Sequence, residues 1–526
     1  MHTPFMLLKS LALLAPVVAA SSLSSTALAQ DVSAGALAGV ESVISPEAKG
    51  ALTAAVPLTD ADREAMIKRR DAIRDATSSR GGGPASGVDR TSPATPEAAE
   101  SEANKIGRNF RNTRATVVSS TLAEPSAAND AAEVLGGGNT YFSRSTNHGA
   151  TWVADTIPGG PADAPFACCD LDAVHKGSLD TTFATVLYTN SAQTNGVVRI
   201  FVRRSTIAGG NDCTYLIDPA GTSNNILPDY PHIAVSNNFV YLTMNLLRGG
   251  SWIGAQIKRF NASQMANCQI VATTTLTYVG TDGQRILTPV ENASTTMYFG
   301  LNRSANVFRI VRLPESTSSL SLFDRTLSLG SNFVNPDCRG GVGNFDFIER
   351  STSWSIAGFR LRGAVVPGNR LWFLWNAGPD ATHTQAHLNS AIFTKPGLSL
   401  LSSPPVFNNG ECFGYPALGA NAFGEFGLTF AHGGKAGGSG TAAQGAIAVD
   451  DAGSAGNFFP FYSTTASGTH NRSDSRYGDY FTIRRNDACT YAWVATNYAL
   501  LNGNTSSANV NARYVEFQSS LRAACP

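Results

Sequence analysis

Charge is scarce in this chain. Only 15% of its 526 residues are Asp, Glu, Lys or Arg, and 39 bases balance 39 acids. With no excess of either sign there is no electrostatic reason to expect nucleic acid or an anionic membrane as partner. Long apolar runs are missing too: the stretch from Leu11 to Leu23 is short of the about 20 residues that a spanning helix needs, and no later stretch does better. No CxxC pair occurs, which argues against a zinc site. Nor is there a Gly-x-Ser-x-Gly elbow, a P-loop, a His-Glu-x-x-His or a dinucleotide fingerprint. Esterase, NTPase, zincin and oxidoreductase chemistry are left without support.

What the chain does hold is 50 glycines, 27 phenylalanines and eight cysteines. The first two describe a large, loop-rich β protein. The opening 29 residues read as an export signal: Lys9, the apolar run "LALLAPVVAA" from Leu11, and "ALA" ahead of Gln30. All cysteines lie beyond it, and an even number in an exported chain points to disulfides in a secreted or periplasmic protein. Cys489 with Cys525 would pin the C-terminal tail. Cys168 and Cys169, on opposite sides of a strand, should take different partners.

Residues 30–115 differ from the rest. "LTDADREAMIKRRDAIRDA" has Thr59 as N-cap and Ala65, Met66, Ile67 and Ile73 on one face, predicting an amphipathic helix. The Gly/Pro/Ser-rich stretch after it reads as a linker. The arm is a pro-segment or a packing element. From residue 116 to 526 the pattern changes to short alternating strands between Gly, Asn, Asp and Pro turns. Similar openings recur near residues 124, 164, 227, 287, 360, 414 and 475, each a turn followed by an apolar strand and an often aromatic one. Repeats of this length holding four strands each predict an all-β fold, a six- or seven-bladed β-propeller preceded by a short helical or disordered arm.

In "YFSRSTNHGATW", Ser145, Asn147, Gly149, Thr151 and Trp152 fit Ser-x-Asp-x-Gly-x-Thr-Trp with Asn for Asp. This resembles the Asp-box, or bacterial neuraminidase repeat, of sialidase-like propellers, which sits on the hairpin between a blade's outer strands. The resemblance implies a structural staple: Asn folds back on the turn, Gly takes a positive φ and Trp packs the hairpin down. "RRSTIAGGNDCTY", from Arg203 to Tyr215, is a weaker echo, and "FACCDLDAVH" and "SRYGDYFTI" resemble segments of secreted sialidase-like propellers. The Arg-Ile-Pro signature of hydrolytic sialidases is absent, so that active site does not transfer.

The start of each innermost strand nominates residues for one channel mouth. As catalytic candidates these are Asp170 (or Asp172), His232 (or Asp229), Glu291, Tyr415 with nearby Glu411, and Asp479; as substrate-binding candidates, Arg362, Arg476 and Tyr477. Carboxyls, arginines and tyrosines in one ring suit an acidic sugar: arginine forks onto its carboxylate while a carboxylic acid protonates the leaving oxygen. Structural roles compete for the same residues: an Arg476–Asp479 ion pair closing the ring, a strand-head histidine, and turn carboxylates at Asp170, Asp172 and Glu291. Trp372 and Trp375 in "RLWFLW" are expected in the core.

No cofactor is expected; "DAGSAGN" and "GGNDC" offer oxygens to a structural calcium but lack the ligand count of a recognised loop. The expected function is action on an extracellular glycan as a glycoside hydrolase or lyase, acidic sugars included, with carbohydrate as partner. The alternative is a non-catalytic glycan- or protein-binding propeller.

Overall fold

A computed structural model describes residues 36–47, 98–100, 104–118, 123–139, 141–219, 225–278, 287–304, 307–327, 337–348, 362–365, 370–450, 459–475, 477–503 and 509–525. The expected export signal, the 58–76 helix, the "DAGSAGN" turn and Arg476 lie outside these residues.

The sequence left six or seven blades open, and there are seven. Blade 1 holds Ser126–Asp130, Glu133–Gly138, Tyr141–Ser145 and Val153–Asp155. Blade 2 holds Phe166–Lys176, Thr181–Thr189, Gly196–Arg204 and Cys213–Ile217. Blade 3 runs through Ile226–Val235, Phe239–Arg248, Ser251–Asn261 and Val271–Tyr278, and blade 4 through Thr288–Pro289, Thr296–Ser304, Val307–Pro314 and Ser319–Thr326. Blade 5 is Arg362–Val365, Arg370–Ala377, His387–Thr394 and Leu400–Ser402; blade 6 is Cys412–Ala420, Phe426–Gly433, Gln444–Val449 and Phe461–Ala466. Blade 7 has Thr482–Arg485, Ala492–Asn497 and Arg513–Gln518, and takes its outer strand, Lys105–Arg111, from ahead of blade 1. The first strand named in each blade is the innermost.

The second strands are buried along most of their length because both their faces meet a neighbouring blade. Every residue of Thr181–Thr189 is buried, and in Arg370–Ala377 both Trp372 (0% exposed) and Trp375 (4%) are core, stacking on Phe459 and Phe308.

The N-terminal part of the chain corrects the expected boundary at residue 116. Ala36–Ala38 adds a strand to blade 4, Val40–Ile44 to blade 3, and Ala99–Glu100 to blade 6. Glu47 bridges to Thr214 in blade 2 and accepts both Nε (2.9 Å) and Nη2 (3.2 Å) of Arg199. What read as an arm is a belt laid along the outer edges of the sheets.

Cys489–Cys525 is present, with Cys213–Cys268 and Cys338–Cys412. Cys168 and Cys169 are bonded to each other, against the expectation of separate partners. The strand rule failed because pairing slips directly opposite them, between Thr185 and Leu187 and again before Tyr188, so the pleat that separates neighbouring side chains is broken there.

The Ser145–Trp152 hairpin joins the third and outer strands of blade 1. Asn147 Oδ1 accepts from Thr151 N (2.9 Å), Ser145 Oγ accepts from Gly149 N (2.9 Å), and Gly149 has φ +82. Trp152 packs over Gly136 and against Tyr514, joining blades 1 and 7. In the echo on blade 2, Asn211 and Asp212 bind Arg203 Nε and the Arg204 amide, so the "GGNDC" oxygens are engaged within their own hairpin.

Candidate functional site at the channel

Several non-glycine residues on or beside the inner strands take left-handed backbone, among them Glu124 (φ 42), Asp170 (56), Tyr230 (57) and Tyr415 (57). Gly478 (φ 120) holds the equivalent place before the last inner strand. At blades 2, 3 and 6 the inner strand slips register there, a bulge that re-aims the next side chains toward the axis. Asparagines of the preceding blade hold two of the bulges: Asn139 Oδ1 accepts from Asp170 N (2.9 Å), and Asn376 Oδ1 from Tyr415 N (2.8 Å). In blade 3 Asp170 itself does this, its Oδ2 accepting from Tyr230 N at 3.2 Å.

Asp172 follows the blade 2 bulge and is the hub of the channel. Its Oδ1 accepts from Arg484 Nη2 (2.6 Å), Ser126 Oγ (3.0 Å) and Ala173 N (2.9 Å). Its Oδ2 accepts from Ile233 N (3.2 Å) and faces His232 Nδ1 at 3.4 Å. The other arm of the Arg484 guanidinium, Nη1, lies 2.6 Å from Glu291 Oε1, and Nε donates to Ala173 O at 3.0 Å. Burial opposes charge on Arg484, but Glu291 and Asp172 outweigh it and raise its pKa. One cation therefore clamps blades 2, 4 and 7 together through two carboxylates. The neck around them encloses ≈ 10 Å³, room for about one water and none for a sugar ring.

The structure thus brings Asp172, His232 and Glu291 together and buries most other candidates. His232 is 1% exposed, packed edge-on against Tyr230 and Tyr480. Asp170, Asp479 and Glu124 gather into a second buried group, their carboxylate oxygens within 4.8 Å of one another. Asp229 is buried on the blade 3 inner strand. Tyr415 and Tyr477, 2% and 1% exposed, belong to an aromatic cluster with Phe347, Phe481 and Tyr498. Tyr415 donates to Phe347 O (2.8 Å), Tyr477 donates to Tyr498 O, and burial holds the Tyr477 hydroxyl well above its usual pKa. Glu411 sits apart, between His432 and Tyr462. Arg362 begins the blade 5 inner strand, and Arg476 lies outside the described residues.

Among the described residues, the roomy cavity lies where inner strands finish, rather than at the mouth where they start. It measures ≈ 670 Å³, and Glu291 and Arg484 form its floor by lining both it and the neck. Its wall alternates amides and hydroxyls (Asn129, Asn237, Asn292, Ser178, Ser294) with His175, Lys176, Lys395, Arg485 and Asp487. Lys176 donates to Ser236 O (2.7 Å); burial lowers its pKa, opposed by Glu315. His175 Nε2 is 3.9 Å from Asp487, and burial lowers the imidazole pKa against the pull of Asp487, Asp130 and Asp180. Among the described residues neither Lys395 nor Arg485 has an ion-pair partner. Arg484 and this wall were missed in the sequence; the one signal was an arginine, in "FTIRRND", set in a strand otherwise fit for burial.

No family model and no curated protein matches the chain. Among solved structures, an α-L-arabinanase from Penicillium chrysogenum complexed with arabinobiose aligns with 80% of this chain and 99% of its own, at 9% identity and TM-score 0.40. The Dos1 propeller aligns with 79% and 96%, at 9% identity and TM-score 0.40. The NanB sialidase from Streptococcus pneumoniae aligns with 80% and 70%, at 8% identity and TM-score 0.36.

Proposed function

We propose that the protein is an exported propeller that recognises an extracellular glycan bearing an anionic group, at the cavity where its inner strands finish. The observation that carries this reading is the wall itself: Lys395 and Arg485, without acid partners among the described residues, stand among amide and hydroxyl side chains over a floor set by Glu291 and Arg484. Cations fix the anionic group and the amides and hydroxyls take the sugar hydroxyls. Four disulfides fit an oxidising compartment, and among the described residues no helix is long and apolar enough to cross a membrane.

Holding rather than cleaving is favoured by the neck. Glycoside hydrolysis uses two carboxyl groups about 5–10 Å apart with substrate or water between them, whereas the space between Asp172 and Glu291 is taken by the Arg484 guanidinium. Hydrolysis stands as the second reading because Glu291 and Asp487 line one cavity. Affinity electrophoresis against acidic and neutral polysaccharides, run beside a reducing-end assay, tests both. Retention on an acidic glycan, reduced about tenfold or more by Lys395→Glu with Arg485→Glu, is expected without new reducing ends. Retention on none overturns the proposal; product release abolished by Glu291→Gln replaces it with the hydrolase reading.

A further inference from the structure

Away from the channel, the turn between the second and third strands of blade 5 places three side chains together in "DATHTQAH": Asp380, His383 and His387. Their ligand atoms all lie within 4.8 Å of one another. His383 Nδ1 is 2.9 Å from Asp380 Oδ1 and 3.1 Å from Oδ2, and His387 Nε2 is 3.8 Å from Oδ2. Both imidazoles are buried, at 2% and 0% exposure, with their rings 4.4 Å apart, while the Asp380 side chain is 20% exposed.

We propose that this trio is a binding site for a divalent transition-metal ion of the zinc class, with His383 Nδ1, His387 Nε2 and an Asp380 oxygen as ligands. Bonds of about 2.0–2.2 Å in tetrahedral array put ligand atoms about 3.3 Å apart, and the observed spacings bracket that value. Two imidazoles and one carboxylate are the donor set that borderline metals prefer over calcium or magnesium.

The remote nitrogen of His387 supplies a second, independent reason. Its Nδ1 lies 3.3 Å from Gln385 O, while Nε2 faces the Asp380 carboxylate. This carbonyl–histidine arrangement is the one that orients metal-bound imidazoles.

Other contacts hold the ligands in place. Asp380 Oδ1 accepts the Thr382 and His383 amides, each at 2.8 Å, and His383 stacks edge-on against Phe407. Gln385 carries the turn to blade 6, its Oε1 accepting the Ala436 amide at 2.7 Å. An ion here would sit within the blade 5 turn, next to the Gln385 link to blade 6, with a water as fourth ligand on the solvent side of Asp380.

The test uses tag-free protein treated with EDTA and dialysed. Titration with Zn²⁺ followed by calorimetry, and with Co²⁺ followed by visible absorption, should show one ion per chain, a tetrahedral Co²⁺ spectrum and a rise in melting temperature. Binding should weaken more than tenfold from pH 7.5 to 5.5, as protons compete with the metal for the two imidazole ligands. Asp380→Asn, which keeps the turn's hydrogen-bonding shape, and His387→Gln should each lower affinity at least a hundredfold. His432→Gln, altering another buried histidine paired with an acid, should leave it unchanged. Failure of the native protein to take up either ion, or equal uptake by the Asp380 and His387 variants, overturns the proposal; the Co²⁺ spectrum of the native chain stands even if a variant does not fold.

Discussion

Arg484 and Asp172 lie 312 residues apart in sequence, yet Nη2 of one is 2.6 Å from Oδ1 of the other, across the axis of the propeller. Taking away the guanidinium while leaving Asp172 and Glu291 strands one buried and one partly buried carboxylate without this cation. Arg484→Leu is expected to cost about 3–5 kcal/mol in denaturant unfolding. Arg484→Lys, a point charge unable to span both acids, should recover only part of that. A loss under about 1 kcal/mol for the leucine variant would show that the clamp is not structural.

The asparagine contacts between blades make a second, local prediction. Asn376 is fully buried, and its Oδ1 is a partner of the Tyr415 amide at the bulge. Asn376→Ala leaves a buried N–H unsatisfied and should destabilise by about 1–3 kcal/mol. Hydrogen exchange at the Tyr415 amide, faster in the variant than elsewhere in blade 6, would place the damage where it is expected.

Two glycines separate backbone conformation from crowding. At Gly437 (φ +65) an added methyl would meet open space, so Gly437→Ala should cost only the left-handed penalty, about 1–2 kcal/mol. At Gly478 (φ +120) the added carbon would meet Tyr498 Oη at 2.9 Å and Glu124 Cγ at 3.0 Å. Gly478→Ala should therefore be the worse of the pair, reaching about 3 kcal/mol by thermal or urea unfolding.

The four disulfides should differ by the length of chain each closes. Replacing Cys489 and Cys525 by serine, a separation of 36 residues, is expected to lower stability by about 2–4 kcal/mol. Cys168 and Cys169 are adjacent and restrict almost no unfolded chain, so serines there should cost less. The reverse order in matched denaturant titrations would refute the loop argument.

Glu411 sets an acid sensitivity. Burial raises its pKa, but His432, 3.0 Å away, and the Tyr462 hydroxyl outweigh burial and hold it below the ordinary value. A carboxyl depressed on folding contributes stability that is complete above its unfolded pKa of about 4.3 and is lost as pH falls through its lower folded value. The melting temperature should thus fall below about pH 4.5. Glu411→Gln should flatten that fall; an unchanged acid profile would exclude this pair as its source.

The repeat was legible in the sequence because a blade cannot bury both faces alone, so its apolar strands recur, and Trp372 and Trp375 announced themselves as core by their neighbours. The Ser145–Trp152 hairpin was legible for the same reason: its hydrogen bonds close within a few residues. The site was harder to read. Left-handed bulges at Asp170, Tyr230 and Tyr415 carry no glycine to mark them, and they decide which side chains turn inward. Arg484 is recognisable only through Asp172 and Glu291, partners that ring closure brings from hundreds of residues away. Asp170, Asp479 and Tyr477, expected at a channel mouth, are buried on or beside the inner strands, and nothing local distinguishes a residue sealed by its neighbours from one left open.

The belt has its own consequence for maturation. Ala36–Ile44 and Lys105–Arg111 supply rungs to sheets whose other rungs come from the rest of the chain, and Glu47 is ion-paired to Arg199. Clipping those parts away would bare three raw edges, on blades 3, 4 and 7, and invite neighbouring molecules to pair there. Blade 7 is complete only when a strand from ahead of blade 1 and the last strand of the chain are both in place.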